Sequence, residues 1–217
     1  MVEIYRKFLF DIPKDIVYLD GNSLGPLLKG VSEESQRVIN NEWGKKLIKG
    51  WNESKWMDQP IRVGNKIAKL LNGEKGSIVL GETLAVKLYQ ALSAAIDLRK
   101  DRSIILTDTG NFPSDLYIAQ GLINSHCRNL KLKTVAPEDI VSAIDNTVAV
   151  VMLTQVDYRT GRMHDLNTIT DLCHRSGAIM LWDLAHSAGA VPVDLKKSKC
   201  DFAVGCTYKY LNGGPGS

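Results

Sequence analysis

Several side chains in this sequence stand just after apolar runs, and their types suit one chemistry. The run 179–182 ends in Asp183, with His186 three residues on. The run 201–206 leads into Thr207-Tyr208-Lys209-Tyr210, and lysine seldom stands at the end of a buried strand without a task. Phe112 is a lone aromatic on the Gly/Pro turn 109–115, and Thr83 precedes the apolar pattern that opens at Leu84. A lysine amine condenses with an aldehyde, and a carboxylate keeps a heteroaromatic nitrogen protonated. An aromatic face stacks on a planar ring, and N–H and O–H donors at a helix start hold a phosphate. Pyridoxal 5'-phosphate (PLP) requires this set. Each residue also has a plainer use. Asp183 and Thr83 can cap helices, Phe112 can pack in a core, and Lys209 can sit on an exposed loop.

For these residues to meet, the elements before them must share a direction. Apolar runs at 77–81, 104–108, 130–135, 148–153, 178–183 and 201–206 read as strands. Helical spacing covers 61–71, 84–98, 115–124, 137–144 and 166–175 between them. Continuous apolar strands alternating with helices predict a mostly parallel sheet covered on both faces, an α/β three-layer domain. Ligands of such sheets bind outside the carboxyl ends of the strands, where the residues named above fall. Upstream, 29–49 reads as one helix with Trp43, Leu47 and Ile48 as its apolar contacts, and 18–26 (YLDGNSLGP) as a turn-rich loop. Asn22 and Ser23 of that loop either line a substrate site or simply build the turn. The expected division is an N-terminal segment, 1–60, belonging to a small domain, and a large cofactor-binding domain, 61–217.

Composition narrows the class. Hydrophobic residues at 44% and charged residues at 24% are ordinary for a soluble domain with a real core. A net charge of +3 without a long basic run argues against nucleic acid as a partner. Cys127, Cys173, Cys200 and Cys206 form no Cys-x-x-Cys pair, so no metal site is expected and the thiols read as reduced, in a cytoplasmic setting. The amino terminus has no signal-peptide pattern, and no apolar stretch reaches membrane-spanning length.

The segments YLDGNSLGP, TDTGNFPSDLYIAQGL, VAVVMLTQVDYRTGRMHD, WDLAHSAGAVPVDL and GCTYKYLNGGPGS resemble the kynureninases, in that order. The resemblance runs from about residue 8 to the end, and DLAHSAGA followed by TYKYLNGGPG is its most specific part. It implies the fold-type-I architecture of PLP-dependent transferases, incomplete at the C-terminus, within the class V aminotransferase group. It implies that Lys209 carries PLP, that Asp183 pairs with the pyridine nitrogen, and that His186 sits beside it. Phe112 would stack on the ring, with Pro113, Ser114 and Asp115 completing that loop. Thr154 would touch the cofactor from the next strand, Tyr208 would bond its phosphate, and Leu84 and Ala85 stand at the phosphate-binding helix start. The family commonly places a hydroxyl there, and this chain has none unless Thr83 serves.

The activity implied is hydrolysis of L-kynurenine, or 3-hydroxykynurenine, to anthranilate or 3-hydroxyanthranilate and L-alanine, in tryptophan–kynurenine catabolism. A homodimer about twice this chain's length per subunit is also implied. The remainder would supply a strand beside the first one here, the rest of the small domain and a substrate-gripping arginine. Two other readings stay open. One is another fold-type-I PLP enzyme, such as a cysteine desulfurase or an aminotransferase. The other is an inactive fragment.

Overall fold

The computed structural model describes residues 6–217. The α-helices are α1 (Val31–Arg37), α2 (Gly50–Glu53), α3 (Gln59–Leu70), α4 (Leu84–Asp97), α5 (Pro113–Ser125), α6 (Ile140–Ala143), α7 (Leu166–Ser176) and α8 (Leu195–Ser198). The strands are β1 (Ile104–Asp108), β2 (Lys131–Val135), β3 (Val148–Thr154), β4 (Ile179–Asp183) and β5 (Phe202–Val204). The chain forms two compact units. One takes in the residues up to Gly81 together with Thr207–Ser217, and the other is Glu82–Cys206.

The second unit holds the sheet, ordered β2-β1-β3-β4-β5 and parallel throughout. Both of its faces are covered, as its apolar strands require. On one face Ile105, Val150, Met152, Ile179 and Leu181 pack with Leu88, Leu92 and Ile96 of α4 and Ala119 and Leu122 of α5. The alternate residues Leu106, Val151, Leu153, Met180 and Trp182 are equally buried, and α7 is tied to them. Trp182 Nε1 donates to Thr170 Oγ1 at 3.0 Å, and Cys173 Sγ lies 3.5 Å from Met180 Sδ. Burial pushes the Cys173 thiol up to about 12, which makes it a core residue rather than a nucleophile.

Helix ends follow their local chemistry. Asp165 caps α7 by accepting from the amides of Asn167 and Thr168, and Gly177, at φ +76°, ends it. Arg128 holds the end of α4 and the turn after it, donating to the carbonyls of Ile96, Arg99 and Arg102. Pro113 begins α5, where its missing N–H costs nothing.

Two expectations fail here. Residues 77–81 form no strand, because a strand needs a ladder partner and none pairs with them among the described residues. Ile78 packs instead on Gly64 of α3, where a Cβ would collide with the Ile78 carbonyl. The helix expected over 29–49 breaks into α1, a π-helical segment Val38–Gly44 and a 3₁₀ turn Leu47–Lys49. The π turn shifts the register, and Leu47 takes φ +51°, outside helical space. Trp43, Leu47 and Ile48 are left 63–77% exposed rather than packed. Among the described residues, no helix is long and apolar enough to cross a membrane.

Candidate active site

In the order β2-β1-β3-β4, the connection after β1 runs to β2 on one side and the connection after β3 runs to β4 on the other. The crevice between the carboxyl ends of β1 and β3 is therefore a topological switch point, where such sheets bind ligands. Asn111 lies just past β1 and spans this crevice. Its Nδ2 donates to Thr107 Oγ1 (2.9 Å) and the Met152 carbonyl (3.3 Å), and its Oδ1 accepts from the Phe112 amide (2.7 Å). Thr154, the last residue of β3, stands 2.5 Å from Asn111 Oδ1 and 3.2 Å from Asp183 Oδ2. One hydroxyl thus links the ends of three neighbouring strands, since Asp183 ends β4.

Asp183 is 2% exposed and accepts from the Ala185 amide through Oδ1 at 2.8 Å. His186 is also buried. Its ring centroid lies 6.0 Å from that of Phe112 and 5.9 Å from that of Tyr158, and the imidazole stacks on Tyr158 at 26°. Phe112 meets Tyr158 edge-on at 5.1 Å. Asp115, fully buried in the first turn of α5, lies where a carboxylate favours the helix dipole, and Ser114 Oγ reaches its Oδ1 at 3.3 Å. The fold thus brings Phe112, Pro113, Ser114, Asp115, Thr154, Asp183 and His186 to one edge of the sheet.

At the start of α4, Thr83 occupies the cap position, but its side chain makes no capping hydrogen bond. Leu84 packs against the core, and Ala85 is half-buried. Glu82 pairs with Lys87 across this end at 2.6 Å.

Tyr208 and Lys209 belong to the first unit. Lys209 is 6% exposed, and its Nζ lies 5.5 Å from the centre of the Tyr208 ring. The 18–26 loop cradles this turn. The Gly25 amide donates to the Tyr208 carbonyl at 2.8 Å, and a Cβ at Gly25 would collide with the Lys209 carbonyl and with Asn212. The loop holds its own shape, with Ser23 Oγ donating to Asp20 and Tyr18 Oη to the Leu24 carbonyl. Gly25→Ala should therefore displace the lysine turn and cost about 1–3 kcal/mol of stability. Chemical denaturation would register the loss, and a wild-type midpoint would show that the loop is not packed on Lys209.

Asp108, Tyr158, Asp157 and His164 were not singled out from the sequence. The signal that marks Asp183, a carboxylate ending an apolar strand, also marks Asp108. Residues 155–164 form a hairpin in which Asp157 and Arg162, and His164 and Gln155, are joined by backbone hydrogen bonds, with Gly161 at φ +70° in its turn. Burial alone would raise the Asp157 carboxyl. Hydrogen bonds from the Arg159 guanidinium and from the Arg159 and Thr160 amides outweigh it and hold the group at about 2. Because the folded value lies below the unfolded one near 3.9, this contribution is complete above pH ~4. It is lost as pH falls toward 2, and amounts to about 2 kcal/mol. In Asp157→Asn the acid limb of the stability curve should flatten in that window, and an unchanged slope would discount the interaction.

The family model for aminotransferase class V matches residues 17–216. The chain belongs to the aminotransferase class V family. Within the family, it is 49% identical over 213 residues to the kynureninase of Pseudomonas fluorescens and 46% identical to that of Burkholderia pseudomallei strain K96243. Each match covers 96% of this chain and 51% of the relative, so the chain spans about half the length of these curated relatives. Among solved structures, an apo cysteine desulfurase from Thermococcus onnurineus superposes with a TM-score of 0.77 at 20% identity. That match covers 97% of this chain and 54% of the other. A C-DES variant with glycine covalently linked to its PLP cofactor gives 0.79 at 14% identity, over 97% and 57%. At these identities the likeness shows the fold, the three-layer architecture of fold-type-I enzymes.

Proposed function

We propose that this chain is the cofactor-binding part of a kynureninase, which hydrolyses L-kynurenine, or its 3-hydroxy derivative, to the corresponding anthranilate and L-alanine. The observation that carries this reading is the 49% identity to the P. fluorescens enzyme across 96% of the chain. The residues at the sheet edge suit PLP. Asp183 is a buried carboxylate at the same sheet edge as three clustered rings, which suits a protonated pyridine nitrogen and an aromatic face for its ring. When bound, PLP supplies an electron sink for charge developing at the substrate's α-carbon.

The chain's own groups do the rest. Lys209 would hold the cofactor through its amine, and that amine would serve as the general base toward the α-proton. Asp183 keeps a proton on the pyridine nitrogen. Thr154 and the Ala185 amide orient that carboxylate. Phe112 would supply a stacking face for the ring, with His186 next to Phe112. Tyr208 would donate to the phosphate, and the amides at Leu84 and Ala85 would serve it from the start of α4. In this reading the protein is a cytoplasmic homodimer acting on a small molecule in tryptophan catabolism, with neither nucleic acid nor membrane as a partner.

The test is to load the protein carrying this chain with PLP and supply L-kynurenine or L-cysteine separately. Anthranilate fluorescence with the first and no sulfide from the second is the expected result. Sulfide without anthranilate would move the protein to the desulfurase side of the family.

A further inference from the structure

The hairpin 155–164 is tied to the β1–α5 turn at two points. At the first, Asp108 accepts from His164 Nε2 at 2.6 Å and from Arg162 Nη2 at 3.4 Å, while its other oxygen accepts from the Gly110 amide at 2.7 Å. At the second, Arg159 Nη2 reaches both Asp157 Oδ2 (3.2 Å) and the Gly110 carbonyl (3.4 Å). The two loops approach so closely that a Cβ at Gly110 would stand 2.9 Å from Asp157 Oδ2 and 3.1 Å from Asp108 Oδ1. Asp108 is 3% exposed, so its bonds to imidazole and guanidinium are shielded from competing water. One loop carries Phe112 and the other Tyr158, and both rings contact His186.

We infer that Asp108 and His164 are positioning residues, which hold Tyr158 against Phe112 and His186 and so set the aromatic wall that receives the cofactor ring. The inference rests on the PLP reading of this edge. His164 is suited to the task because it is itself anchored, its amide donating to the Gln155 carbonyl and its ring lying 6.4 Å from that of Trp182. The tie joins positions 56 apart in sequence, so it fixes the distance between two loops rather than the shape of either.

The experiment is a double-mutant cycle read by the dissociation constant of PLP from the protein, with kcat/KM as a second measure. His164→Ala and Tyr158→Ala should each weaken PLP binding about tenfold, and the double variant should lose little more than either alone. His164→Gln, which keeps a donor toward Asp108, should stay within about threefold of wild type. Gly110→Ala deletes no side-chain donor or acceptor, and its Cβ, pressed against Asp157 and Asp108, wedges the loops apart. It should reproduce the loss, and it carries the test if His164→Ala does not fold. Multiplicative losses in the double variant, or wild-type affinity in both His164→Ala and Gly110→Ala, would overturn the inference while leaving the PLP reading intact. Wild-type protein that takes up no PLP would overturn both.

Discussion

Lys209→Ala should abolish covalent retention of PLP and lower kcat/KM by about 10⁴-fold or more. The side chain is asked to do two things, to anchor the cofactor and to move the α-proton, and general-base catalysis alone is worth about 10²–10⁴-fold. Alanine does neither. Lys209 is 6% exposed in a turn held by Gly25, and residues 207–217 contain no second lysine to replace it. The decisive measurement is borohydride reduction of the loaded protein followed by peptide mapping. In wild type the reduced pyridoxyl group should sit on the peptide containing Lys209, and in Lys209→Ala no peptide should carry it. A label on any other lysine in wild type would remove the basis of the proposed function.

Asp183→Asn should lower kcat/KM by about 10³-fold, close to 4 kcal/mol of transition-state stabilisation. The substitution is nearly isosteric. Its amide oxygen can still accept from the Ala185 amide, and the new amide nitrogen, in place of Oδ2, can donate to the Thr154 hydroxyl, whose own proton stays on Asn111 Oδ1. What disappears is the negative charge that keeps the pyridine nitrogen protonated. Asp183→Ala removes the acceptor as well, leaving a buried N–H unpaired, and should add about 1–3 kcal/mol of destabilisation. His186→Ala should be milder, at about 10–100-fold, because its ring contributes packing against Phe112 and Tyr158 rather than the carboxylate partner of the pyridine nitrogen. Steady-state kinetics and thermal unfolding of the three variants separate charge from packing. Equal kinetic losses in Asp183→Asn and His186→Ala would show that the carboxylate is not the partner of the ring nitrogen.

The two variants probe different parts of the chain, and the sequence made them visible to different degrees. Asp183 stands at the end of a five-residue strand buried throughout. Apolar strands alternating with amphipathic helices imply a parallel sheet, and a parallel sheet puts its ligands at one edge, so the position of Asp183 follows from local pattern. The same logic covers Thr154 at the end of β3 and Phe112 after β1. Asp108 obeys it too, though as the anchor of a loop. The rule identifies the edge of the sheet and does not assign tasks along it.

Local pattern failed where partners mattered. Residues 77–81 have strand composition, yet without a ladder beside them they stay irregular, with Ile78 against Gly64. Residues 29–49 have helical spacing, yet a π turn and a left-handed Leu47 break the helix and turn its apolar side chains outward. Both outcomes depend on what lies alongside the segment, which periodicity does not record.

By itself, the sequence determined the α/β class, the order of most elements, the parallel sheet and the edge at which polar residues gather. Those properties follow from side-chain period and from turn residues a few positions apart, which are written in neighbouring letters. Only the tertiary structure decided that Asn111 and Thr154 bridge the switch point, that Gly25 seats the lysine turn, and that His164 reaches Asp108. Such contacts join residues tens of positions apart. Their formation depends on the closing of loops and the exclusion of water around buried charge, and no local sequence signal encodes that distance.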